Sequence, residues 1–283
     1  MSDPAPEAVK PPAGPSELTL RVLSGVVMAV LAIGTAWIDG WSFGLFWTMA
    51  SVLVLREWLS LIGLGGTRMT ICWTVGGLAI AFAGTMAEVS EAPEPRAWAV
   101  VLAGALLVAA LAPSRRGWAA AGVVYAAVLA VVPIDLRGDP SFGVVAIFWM
   151  FAVVWITDIA AYFVGRSVGG PKLWPRISPK KTWSGFIGGV AGGTLAGLAV
   201  VHVARNSYGL GWTFGGFGLV ALTLGSAILS QGGDLFESSM KRRFGAKDSS
   251  HLIPGHGGVM DRLDSFWAVS VVLAVLLYAS LPA

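Results

Sequence analysis

The chain has a single cysteine, Cys72, which excludes an intramolecular disulfide and any metal site built from several thiolates. It lies in an apolar stretch and reads as a small core residue. Charge is scarce too. Asp, Glu, Lys and Arg make up 12% of 283 residues, against about 25% in soluble domains. With 55% hydrophobic residues and a mean hydropathy of +0.74, a water-soluble globular enzyme is excluded and a polytopic membrane protein is indicated. No internal repeat of the kind that marks many transporters is visible. No activated serine arrangement suggests a covalent enzyme intermediate.

What is present is mostly apolar runs. Residues 1–20 are rich in Pro and Ala at the start, cannot build a core, and read as a disordered cytosolic tail. A cleavable signal peptide is not expected, since the first apolar run lacks a small-x-small cleavage site and leads straight into another span. Runs of spanning length fall at 21–38, 41–62, 70–87, 97–112, 117–134, 142–165, 184–204, 212–231 and 265–281. The expected fold is therefore an all-α integral membrane protein of about nine transmembrane helices. About five belong to an N-terminal region, 21–134. The remainder form a C-terminal catalytic region, 135–283, with cytosolic loops at 166–183 and 238–264. Placing the N-terminus in the cytosol and the C-terminus outside puts 16 of the 19 Lys and Arg on the cytosolic side, leaving Arg96, Arg137 and Arg205 outside. That distribution obeys the positive-inside rule. The glycine run at 185–197 suits close helix packing within one subunit, with a homodimer contact or a lipid-sized groove as the alternatives.

The scarce charge gathers in one place. Residues 238–264, SSMKRRFGAKDSSHLIPGHGGVMDRLD, pack five cations, three carboxylates and two histidines into 27 residues, while the other 256 hold 14 Lys and Arg. Asp261 and Asp264 are three apart, so a helix starting here projects both from one face. They can grip a divalent cation, although acids also favour helix N-termini for electrostatic reasons. Asp234 and Ser238, at i and i+4, offer hard oxygens that suit magnesium; a helix cap or a salt bridge to Lys241 is the plainer reading. Glu237 is expected to point off that face into solvent. Asp158 sits inside an apolar run, where a carboxylate is expensive and functional by default. It is either a metal- or substrate-site acid or a packing partner of Lys180 or Arg166. Lys180, Lys181, Lys241, Lys247 and Arg262 are candidates to grip phosphates, whereas Arg176, Arg242 and Arg243 are equally explained by topology. His256 either donates to a phosphate or braces its loop, and Gly257 and Gly258 can offer bare N–H groups to phosphate oxygens. His251 and His202 are not candidates.

These residues resemble a family signature. Ser238, Met240, Lys241, Arg242, Lys247, Asp248, Ser250, Ile253, Pro254, His256, Gly257, Gly258, Asp261, Arg262 and Asp264 match the pattern of phosphatidate cytidylyltransferases. An upstream stretch is similar to the same family at Asp158, Ala161, Tyr162, Gly165, Arg166, Ser178, Pro179, Lys180, Lys181, Thr182 and Gly185. Ser184 departs, because that place is often Glu. The resemblance covers about the C-terminal half; the N-terminal half agrees only in hydropathy. It implies transfer of CMP from CTP to phosphatidate at a magnesium centre, with a second, monovalent cation such as potassium left open. Asp234, Asp261, Asp264 and Lys247 are then the candidate catalytic residues, and Asp234, Ser238, Asp261 and Asp264 the candidate metal ligands. Asp158, Ser178, Lys180, Lys181, Lys241, Arg242, His256, Gly257, Gly258 and Arg262 are the candidate substrate-binding residues. The partners implied are CTP, phosphatidate and membrane lipids, without nucleic acid, in a bacterial cytoplasmic membrane with the site facing the cytosol. A CTP-dependent polyprenol or phytol kinase is the nearest rival, and an ion-coupled transporter is the rival from another class.

Overall fold

A computed structural model describes residues 17–90, 92–210 and 215–279. Among them the chain forms nine α-helices: α1 (Glu17–Ile38), α2 (Trp41–Leu61), α3 (Gly66–Val89), α4 (Pro95–Leu111), α5 (Arg116–Arg137), α6 (Gly143–Val168), α7 (Trp183–Tyr208), α8 (Gly216–Arg243) and α9 (Met260–Ala279). Each answers to one of the nine apolar runs. Seven are long and apolar enough to cross a bilayer; α4, at 17 residues, is a shorter apolar helix, and α2 carries Arg56 and Glu57 near its end. Residues 1–16 of the expected tail lie outside the described residues, and α1 already begins at Glu17, earlier than a tail through residue 20 allows.

The chain is not helical throughout. Gly169 and Gly170 adopt φ of 67° and 98°, values that favour glycine, and end α6. The antiparallel hairpin β1 (Lys172–Trp174) and β2 (Ser178–Thr182) follows. Lys172 pairs with Thr182 and Trp174 with Ser178. The Thr182 hydroxyl then caps α7 by accepting from the Gly185 amide at 3.1 Å, as N-cap threonines do.

Helix α5 runs through the centre of the bundle, with Tyr125 to Leu136 all buried. Trp47, Trp58 and Trp149 fill the core around it, and the Trp58 indole donates to Trp118 O at 2.8 Å. The glycine run of α7 is spent on α6. A Cβ at Gly189 would lie 2.8 Å from Thr157 O, one at Gly197 2.6 Å from Val153, and one at Gly193 would collide with the Thr157 hydroxyl. Tight packing within the subunit thus uses the small residues. Large apolar side chains such as Val22, Leu106, Phe163 and Leu195 remain exposed, which suits a bilayer as solvent.

Candidate active site

The C-terminal end of α6, the hairpin, the last turns of α8 and the start of α9 meet at one end of the bundle. Together with the loop between α8 and α9 they enclose a cavity of about 760 Å³. The two basic stretches, far apart in sequence, therefore share one site. Helix α8 makes this possible by continuing to Arg243, well past the apolar run expected to end at residue 231. Its extension presents Asp234, Glu237 and Lys241 to the cavity, spaced i, i+3 and i+7 on one helix face.

Asp158 opens onto the cavity from α6; no ion pair joins it to Lys180 or Arg166. Across from it Asp234 receives the Lys181 ammonium at 2.7 Å and the Ser238 hydroxyl at 3.2 Å. Asp264 is 7% exposed and accepts from the Ser265 amide at 2.7 Å, and it feels the negative charges of Asp234 and Asp158. Three carboxylates thus face one space that Lys181 alone does not neutralise. Among the described residues, no three His, Cys, Asp or Glu side chains gather closely enough to cage a metal by themselves. That donor set fits magnesium held by one or two carboxylates with phosphates and water completing its shell, the usual way this ion is bound.

Asp261 has a different setting from its neighbour on α9. It accepts from Lys241 Nζ at 2.5 Å, from the Ser249 amide and hydroxyl at 3.0 and 2.9 Å, and from the Gly258 amide at 2.8 Å. Its oxygens are engaged by the protein, although it lines the same cavity as Asp234 and Asp264. Lys241 is held between Asp261 and Glu237, 2.7 Å from the latter, at the wall of the cavity. Glu237 itself, expected in solvent, is 1% exposed; the ion pair with Lys241 draws it inward. The Gly258 N–H is likewise committed to Asp261.

Arg262 lines the cavity and donates through Nε and Nη2 to His256 O at 3.2 and 2.9 Å. His256 also faces the cavity. Burial first, then the Arg262 and Arg21 guanidiniums, hold its imidazole below the ordinary histidine pKa. Its Nδ1 lies 2.7 Å from the Ser24 hydroxyl of α1. Gly257, at φ 84°, closes the turn by accepting from the Ile253 amide at 2.8 Å. Lys180 lines the cavity, while Ser178, Arg242 and Lys247 do not; Arg242 donates to Ala246 O at 3.3 Å, and Lys247 is exposed. Ser184, where the family pattern often has Glu, donates its hydroxyl to Gly169 O and so braces the start of the hairpin.

A family model described as the cytidylyltransferase family matches residues 19–280. The chain belongs to the cytidylyltransferase family. It is 41% identical over 259 residues to a phosphatidate cytidylyltransferase of Brucella suis biovar 1, a match covering 91% of this chain and 92% of that one. A protein of the same name from Bacillus subtilis is 41% identical over 144 residues, 51% of each chain. One from Staphylococcus aureus is 43% identical over 140 residues, covering 50% of this chain and 52% of the other.

The N-terminal half of this cytidylyltransferase contributes more than membrane anchoring. Glu57 of α2 is 3% exposed and reaches the loop before α9. Its Oε1 accepts from the Ser250 hydroxyl at 2.5 Å and the Val259 amide at 2.9 Å. Its Oε2 accepts from the Ser249 hydroxyl at 3.1 Å and the Met260 amide at 2.7 Å. Sequence reasoning passed over it, although the test that singled out Asp158, an acid within an apolar run, applies equally. Gln231 was also missed. It is 2% exposed, lines the cavity and donates to Phe186 O at 2.9 Å, tying α8 to α7.

Proposed function

We propose that this membrane nucleotidyltransferase transfers CMP from CTP to phosphatidate, giving CDP-diacylglycerol and pyrophosphate. What carries the reading is the cavity: carboxylates on α6, α8 and α9 face Lys180, Lys181 and Arg262 at the end of a membrane bundle. That is where a lipid headgroup and a water-soluble nucleotide can meet. Relatives matching along nearly the whole chain bear the corresponding name.

A phosphate oxygen of phosphatidate attacks the α-phosphorus of CTP. The new P–O bond forms as the bond between the α- and β-phosphates breaks, and pyrophosphate leaves. The nucleophile is already anionic near neutral pH, so positioning outweighs base catalysis. Lys180, Lys181 and Arg262 draw the two polyanions together. Asp234 and Asp264, with Asp158 beside them and Ser238 bracing Asp234, are the residues that would hold magnesium between protein and phosphates. When bound, the ion neutralises the triphosphate and its leaving group. The cavity faces the cytosol of a bacterial cytoplasmic membrane, with the N-terminus inside and the C-terminus outside, in keeping with the basic residues at that end.

Purified protein in detergent, given phosphatidate, magnesium and each of the four NTPs, tests the reaction. Liponucleotide and pyrophosphate are expected with CTP, and EDTA abolishes both. Turnover of diacylglycerol, or release of CDP as the co-product, would sink the reading, the latter in favour of a CTP-dependent kinase.

A further inference from the structure

The α8–α9 loop spans residues 244–259, yet its end is held in place from outside the catalytic half. Glu57 approaches from α2 and accepts four hydrogen bonds, two at each oxygen. Two of the donors are the backbone amides of Val259 and Met260, where α9 begins, so the carboxylate serves as a cap supplied by another helix. The other two are the Ser249 and Ser250 hydroxyls, on the loop's far side. Ser249 also donates to Asp261, and a Cβ at Gly258 would run into both Ser249 and Glu57. We propose that Glu57 is a positioning residue for the reaction: it sets where α9 starts, and therefore where His256, Arg262 and Asp264 stand in the cavity. This rests on the cytidylyltransferase reading for its kinetic consequence, though not for its structural one.

The hydrogen-bond chemistry makes the claim sharp. Hydroxyls can rotate to accept, but backbone amides only donate. Each Glu57 oxygen faces one backbone amide. Whichever way a glutamine is turned, its NH₂ group opposes either Val259 N–H or Met260 N–H. Glu57→Gln is nearly isosteric and still cannot satisfy the site. Glu57→Asp keeps both acceptors and falls short by one methylene.

The test pairs kinetics with hydrogen–deuterium exchange on the full chain in detergent. Glu57→Gln should lower kcat by ~10–100-fold, the scale of leaving one buried donor unpaired. Exchange should rise at residues 249–260 and stay unchanged in α4 and α5. Glu57→Asp should recover part of both, and Arg56→Gln, at the exposed neighbour, should match the wild type. Unchanged kcat and loop exchange in Glu57→Gln would overturn the proposal, as would exchange raised uniformly across the bundle, which marks a merely structural role. If the wild type makes no liponucleotide while loop exchange in Glu57→Gln still rises, the reaction assignment fails and the positioning of α9 by Glu57 stands.

Discussion

Lys241 lies within 2.7 Å of Glu237 and 2.5 Å of Asp261, and the three form a nearly buried ion triad on α8 and α9. Removing the lysine would leave two nearly buried carboxylates facing each other without a cation, at a cost of about 3–5 kcal/mol. Lys241→Met should therefore lower the thermal midpoint of the purified protein and its activity together, whereas Glu237→Gln leaves the Lys241–Asp261 pair balanced and should cost less. Equal midpoints for the wild type and Lys241→Met would refute the triad as a source of stability. The aspartates divide by their partners. All three line the cavity, but Asp261 has the most protein partners, in Lys241, Ser249 and Gly258. Asp234→Asn and Asp264→Asn should cut turnover by at least ~100-fold, the scale of one key electrostatic contact, and raise the magnesium concentration needed for half-maximal rate. Asp261→Asn should lose activity without that magnesium shift. A magnesium titration in which Asp261→Asn shifts and Asp264→Asn does not would reverse the assignment.

Helices α6 and α7 are joined through glycines at every fourth position, Gly185, Gly189, Gly193 and Gly197, all buried. Their spacing keeps one bare face against Val153, Thr157 and Ala161, and so fixes the hairpin between the two helices that carries Lys180 and Lys181. Gly193→Val should prevent that approach and abolish both folded yield and liponucleotide synthesis. Gly225→Ala, on a face of α8 where an added Cβ meets nothing within 4 Å, should hold or raise the thermal midpoint, since Ala is favoured over Gly in a helix by about 1 kcal/mol. Equal damage from the two changes, seen by size exclusion and thermal shift, would refute the packing account. The α8 boundary shows what hydropathy cannot tell. An apolar run marks where the bilayer stops, not where the helix stops, and α8 carries its polar cavity face some 12 residues past the run that ended at 231.

At the scale of the whole molecule, the cavity and both basic stretches occupy one end of the bundle. Asp39, Arg137 and Tyr208 border a second, mainly apolar cavity of about 740 Å³ at the other. The sidedness proposed above rests on the distribution of charge and is tested by labelling. In a Cys72→Ala background, a cysteine at exposed Lys247 should be shielded in intact cells from impermeant thiol reagents. One at exposed Ala92 should react. Ser249, though in the same loop as Lys247, is a poor probe because it is buried against Glu57 and Asp261. Reversed labelling would overturn the orientation.

The sequence by itself determined the membrane class, the nine helices, the end of the bundle that carries the chemistry and the residue types gathered there. Apolar length and the clustering of scarce charge are local, one-dimensional properties. Tertiary structure alone decided which charges are available. Lys241 and Asp261 satisfy each other, Glu237 turns inward, and Asp158, Asp234 and Asp264 converge from three helices. It also brought Glu57 192 and 193 positions along the chain to Ser249 and Ser250. The reason is that a buried ion takes whatever partner packing sets within hydrogen-bond reach, and spacing along the chain carries no information about partners from a distant helix.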